Sequence, residues 1–156
     1  MRSLFGKAKQ PQRFLVDGVS IPALAGWTET ERAPDRIVVK SADGRQGVTL
    51  STMRFTADPT AEEFGVLCQH RLDAERADAE QTGSPREILE GGEPRVVADG
   101  FVMVYTGMVR DTANVFSGFL SLQRHQLATV YLESFDQTAE QHLQVFQTLA
   151  AGLARV

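Results

Sequence analysis

The side chains able to carry chemistry are few. Cys68 is the only thiol, and His70 follows two residues later. On a helix that spacing turns the two side chains about 200° apart, so they do not make a nucleophile and its base. A lone cysteine on an apolar stripe is expected to be a buried structural residue. His70, His125 and His142 lack the close spacing of metal ligands. His125 falls in an expected turn, and His142 lies at the edge of a helical stripe. The chain has no G-x-S-x-G elbow, no G-x-x-x-x-G-K-[ST] loop and no G-x-G-x-x-G fingerprint. Gly91-Gly92 is read as turn chemistry, and Glu62-Glu63, Asp73 and Glu75 as solvated helix positions. The expectation is a protein with no catalytic residues, no metal and no cofactor.

Two features stand above this background. Arg71 and Glu75 are spaced i to i+4 on the apolar stripe of a helix, where they can pair with each other. The second feature is a mixed face of a sheet carrying Met103, Tyr105, Phe119 and Tyr131, large aromatic and sulfur side chains among serines. Such a face suits protein binding. It is also the composition of a second core if a helix lies over it. Met103, Tyr105, Phe119, Tyr131 and Arg71 are therefore the candidate partner-binding residues.

The elements that position them follow from turn signals and periodicity. Phe14–Val16, Asp17-Gly18 and Val19–Ile21 read as a hairpin, because Asp-Gly supplies the positive φ angles of a type I′ turn. Arg36–Lys40 and Gly47–Phe55 read as strands around a turn at Asp43-Gly44, with Val48, Leu50 and Thr52 on one face. Asp58-Pro59 is expected to open a helix whose stripe is Ala61, Phe64, Leu67, Cys68 and Leu72. Arg86–Glu90 and Arg95–Ala98 are expected to pair with each other across Gly91-Gly92. Asp99-Gly100 then marks a hairpin or a bulge before the long apolar meander 101–135.

In that meander, a loop at Asp111–Ala113 setting Arg110 opposite Asn114 would put Val102, Val104, Phe116 and Leu120 on the core face. Met103, Tyr105 and Phe119 would share the other face. A loop longer than two residues near Arg124-His125-Gln126 would add Ala128, Val130 and Leu132 to the core and set Tyr131 beside Tyr105. Thr138 and Gln141 have the spacing of a capping box for a last helix with the stripe Ala139, His142, Leu143, Phe146, Leu149, Ala150 and Leu153. The order strands, helix, strands, helix is that of one α+β domain over residues 13–156, an antiparallel meander packed by two main helices, preceded by a flexible segment 1–12.

The whole-chain properties narrow the function classes. At 156 residues a single domain buries roughly 70% of the surface of its unfolded form and needs no staple. A net charge of -4 argues against nucleic acid, whose binding needs a concentrated basic field. No run approaches the ~20 apolar residues of a membrane span, so membrane contact is expected to be peripheral or absent. The single cysteine and the lack of an apolar h-region after MRSLFGKAKQPQ lead to a cytoplasmic expectation.

The order of elements resembles the PsbP-like fold, shared by the photosystem protein PsbP, the bacterial DcrB family and a yeast Ran-binding protein. The resemblance lies in an early hairpin with Gly26-Trp27, the run PTAEEFGVLCQHRLDAE after Asp58, the Gly-centred strand pair ADGFVMVYTG, the meander NVFSGFLSLQRHQLATVYLES and the closing helix QHLQVFQTLAAGL. Within that group the chain looks most like the DcrB-like chaperones of type VI secretion effectors. The resemblance implies an α/β/α sandwich that acts as a non-enzymatic homodimer, its sheet sheltering an apolar helix of an effector. An immunity protein that neutralises a toxin and a small-ligand-binding domain are the alternatives.

Overall fold

The computed structural model describes residues 12–83 and 85–156. The expected flexible segment 1–12 lies outside the described residues apart from Gln12. In chain order the elements are β1 (Arg13–Val16), β2 (Val19–Pro22), β3 (Thr28–Ala33), β4 (Arg36–Lys40), β5 (Gln46–Arg54), α1 (Ala61–Thr82), β6 (Arg86–Gly91), β7 (Arg95–Val97), β8 (Gly100–Val109), β9 (Val115–Gln123), β10 (Gln126–Ser134), α2 (Ala139–Ala151) and β11 (Ala154–Arg155). A large antiparallel sheet runs β3-β4-β5-β10-β9-β8-β6, with β7 beside β6 along the edge of β8, and β1-β2-β11 form a small sheet.

Two apolar layers flank the large sheet. On one face Ile37, Val39, Val48, Leu50, Val130 and Leu132 pack against the small sheet and α2, which contribute Val19, Ile21, Phe146 and Leu149. On the other face α1 lays Phe64 and Cys68 onto Met103, Tyr105, Phe116, Leu120 and Leu122. The fold is thus α+β, two helices packed on a large antiparallel sheet, as the sequence order implied.

Local chemistry accounts for the first hairpin turn and for both helix starts. Asp17 (φ 47°) and Gly18 (φ 75°) make the tight turn of the first hairpin, and Asp17 is held there by Arg54 and by the Thr52 hydroxyl at 2.7 Å. α2 begins at the expected Thr138–Gln141 capping box. α1 begins two residues later than expected: Thr60, not Asp58, is the cap, because Glu63 three residues on can return the bond to the Thr60 amide. Asp58 instead lies 2.7 Å from His125 Nδ1.

Strand pairing departs from the expectation at four places. β6 and β7 do not pair with each other; both pair with β8, one after the other along its edge, and Gly92 N–H donates to the Val104 carbonyl where they meet. Asp99-Gly100 belongs to the hairpin that joins β7 to β8, one of its two expected readings. β3 was not foreseen, because its residues are exposed and charged and so carry no alternation.

The third departure is the register of the meander, and the loop after β9 is the fourth. Met108, not Arg110, is the last residue of β8 in register, opposite Val115, and Val109 N–H closes the loop onto the Asn114 carbonyl. That slip of one residue turns every β9 side chain to the opposite face. Phe116, Leu120 and Leu122 therefore lie with Met103 and Tyr105, whereas Ser117, Phe119 and Ser121 lie with Val102 and Val104. Packing selects this register. Gly118 sits opposite Tyr105, where any Cβ would overlap the tyrosine ring.

The β9–β10 loop is two residues long, shorter than expected, with Gln123 opposite Gln126 and Arg124 at φ 52°. The two slips cancel across β9. Ala128, Val130 and Leu132 do share the face of Val102 and Val104, and Tyr131 does sit on the face of Tyr105.

Candidate functional site

Four of the five sequence-selected residues converge under α1. Glu75, 2% exposed, is the centre of this cluster. Its Oε1 accepts from Arg71 Nη2 at 2.9 Å and from the Tyr105 hydroxyl at 2.9 Å. Its Oε2 accepts from Arg86 Nη1 at 2.9 Å. Arg71 Nε also donates to the Tyr105 oxygen at 2.8 Å, and Arg86 Nη1 to the Tyr131 oxygen at 3.0 Å. Arg71 stacks over the Tyr131 ring, 4.7 Å from its centroid, and Arg86 over Phe116 at 5.1 Å.

Burial, reinforced by Glu75, pushes both tyrosine hydroxyls above the ordinary tyrosine pKa, so they remain neutral donors. Burial opposes the Arg71 charge, yet Tyr105 and Glu75 outweigh it and raise its pKa. The cluster is a paired, hydrogen-bonded clamp between α1 and the sheet, not an edge pair of Arg71 and Glu75 alone. Met103 lies beside it in the same apolar layer. Met103 and Tyr105 are each 1% exposed, because α1 covers the row.

Phe119 is on the other face. It borders a groove of about 560 Å³ between α2 and β8, with Val104, Thr106, Leu143, Phe146 and Ala150 among the other lining residues. Neither α2 nor the small sheet covers β8 there, and Val104 is left 41% exposed. Glu90 and Gln147 add polar groups to the lining.

A buried polar chain fixes α2, and so the groove wall, to the sheet. His142 is fully buried, not at a stripe's edge. Its Nε2 is 2.8 Å from Ser117 Oγ and its Nδ1 2.6 Å from Ser134 Oγ. Ser117 continues to Thr106 Oγ1 at 2.7 Å, and Ser134 accepts from Gln46 Nε2 at 3.0 Å. Burial lowers the His142 pKa to about 4, so the ring is neutral and donates to one serine while accepting from the other. Among the described residues no carboxylate orients this ring, whose two nitrogens meet serines, and Ser117 is fully buried. The geometry is that of a satisfied structural histidine. Cys68 is also buried, and its thiol is pushed up to about 11 by desolvation. Among the described residues no group of three or more His, Cys, Asp or Glu side chains is arranged to hold a metal ion, and no described helix is long and apolar enough to cross a membrane.

Sequence reasoning missed Arg86, Leu143 and the exposure of Val104 as parts of these sites. Arg86 is brought to Glu75 by strand pairing alone, and no local pattern marks it. Leu143 was assigned to the apolar stripe of α2 without any sign that its sheet partner would be missing.

No protein-family model matches the sequence, and no curated protein matches it. Solved structures do match in fold. The solution structure of cyanobacterial PsbP (CyanoP) from Synechocystis sp. PCC 6803 superposes with a TM-score of 0.73 at 14% identity, over 99% of this chain and 100% of that one. A point mutant of the protein Mog1 superposes with a TM-score of 0.55 at 12% identity, over 89% of this chain and 91% of that one. A Bacteroides thetaiotaomicron VPI-5482 protein gives 0.51 at 11% identity, over 95% of this chain and 49% of that one. The architecture is therefore one shared with PsbP and Mog1.

Proposed function

We propose that this chain is a non-enzymatic, cytoplasmic protein-binding domain, an adaptor or chaperone that shelters an apolar helix of a secreted effector in the groove between α2 and β8. The observation that supports this reading is the uncovered apolar strip of Val104 and Phe119 beside Leu143. An open groove of this size takes the anchor side chains of a helix laid along it. The resemblance to DcrB-like chaperones of type VI effectors supplies the choice of client. The row of Met103, Tyr105 and Tyr131 serves the reading indirectly, by holding α1 and the sheet rigid behind the groove.

The test is fluorescence anisotropy with a labelled Leu/Ala-rich helical peptide of about 20 residues, together with co-expression of the N-terminal segment of a neighbouring effector. Binding is expected, and Val104→Asp should weaken it by on the order of tenfold or more, because the client would have to bury the carboxylate. Val104 is exposed enough for that variant to fold. No binding, or equal binding by the variant, would sink the proposal. Light scattering shows whether the free protein is the expected homodimer; a dimer abolished by Val104→Asp would make a second copy the occupant of the groove and displace the client from this reading.

A further inference from the structure

A second cavity lies on the opposite face, at the end of the sheet where β10 finishes. It measures about 200 Å³, and Arg86, Val109, Val115, Phe116, Glu133 and Phe135 are among its lining residues. Two of these are oppositely charged and poorly matched to each other. Arg86 Nη2 is 3.9 Å from Glu133 Oε1, beyond hydrogen-bond length. Arg86 commits Nη1 to Glu75 and Tyr131. Among the described residues nothing bonds its Nη2 or Nε, and nothing donates to the Glu133 carboxylate.

The surrounding charges balance: Arg71 and Arg86 are set against Glu75 and Glu133. A net-charged ligand would upset that balance. A ligand carrying both signs would complete it, a carboxylate on Arg86 and an ammonium on Glu133, with an apolar body against Val109, Val115 and Phe135. The space equals roughly seven waters at about 30 Å³ each, which is the scale of one apolar amino acid and too small for a folded segment.

We propose that this cavity binds a small zwitterion with an apolar side chain, of which free leucine and phenylalanine are the simplest examples. Arg86 takes the carboxylate, Glu133 the ammonium, and Val109, Val115 and the Phe135 ring the side chain. A ligand of this size binds with about millimolar affinity.

The test is calorimetric titration of the full chain with phenylalanine, leucine, N-acetylphenylalanine and phenylalanine amide. Saturable binding of the free amino acids is expected, with each blocked form weaker by on the order of tenfold. Arg86 variants put the Glu75 clamp at risk, so the discriminating substitution is Glu133→Gln, which breaks no hydrogen bond among the described residues. It should weaken free phenylalanine by a similar factor and leave N-acetylphenylalanine unchanged. Lack of saturation at about 20 mM, equal binding of the blocked forms, or an unaffected Glu133→Gln would each overturn the proposal. The cavity is independent of the α2 groove, so Val104→Asp should not change these titrations.

Discussion

Replacing Glu75 is the sharpest probe of what holds α1 to the sheet. Glu75 is 2% exposed and is the shared acceptor for Arg71, Arg86 and Tyr105. In Glu75→Ala the two guanidinium groups lose their common counter-ion, and the Tyr105 hydroxyl loses an acceptor. Breaking a buried pair from one side costs about 3–5 kcal/mol, a large part of the roughly 5–15 kcal/mol that stabilises a domain. At about 2–4 °C per kcal/mol for a chain of this size, the melting temperature should fall by roughly 6–20 °C.

The partners should rank by how well water can replace the lost bond. Arg86 has a side chain 14% exposed and Arg71 one 32% exposed. Arg86→Met is therefore expected to cost more than Arg71→Met, and both less than Glu75→Ala. Urea denaturation followed by tryptophan fluorescence and by far-ultraviolet circular dichroism measures all three. In Glu75→Leu the additional change Arg71→Met should recover stability, because it removes a charge left without its partner. A Glu75→Ala loss below about 1 kcal/mol would place the pair in the exposed class and refute the clamp. So would a ranking with Arg71 first.

Two further predictions concern buried titratable groups. His142 is neutral in the fold, with a pKa of about 4 against an ordinary value of 6.5, so the unfolded chain binds more protons between those values. Its contribution to stability is complete above pH 6.5 and declines as pH falls toward 4, by at most about 1.4 kcal/mol per pH unit. In a denaturation series over that window His142→Gln should be the flatter; equal slopes would reject the assignment. The Cys68 thiol, buried and raised to about 11, should not react with a thiol reagent at pH 8 until the protein unfolds. Stoichiometric labelling of the native protein would contradict its placement under α1.

Turns and helix stripes were legible in the sequence because their causes are local. Asp17-Gly18 needs only its own two φ angles, the Thr138–Gln141 box closes within one turn, and the stripe containing Phe64 and Cys68 repeats along a single helix. The element order, from which the α+β architecture and the likeness to PsbP follow, was legible for the same reason. Strand register was not local. The side-chain period of a strand is two, so one residue gained or lost in the loop after Val109 decides whether Phe119 meets Tyr105 or turns away from it. That choice was made by packing across the sheet, where Gly118 gives the Tyr105 ring its space. Glu75 and Arg71 were visible as a pair one helical turn apart. Arg86 and Tyr131 join them from strands 11 and 56 residues beyond Glu75, and only tertiary structure could bring these two and Tyr105 to the same carboxylate. Coverage was likewise decided in three dimensions: α1 closes over Met103, Tyr105 and Tyr131, while α2 stops short of Val104 and leaves Phe119 at the edge of an open groove.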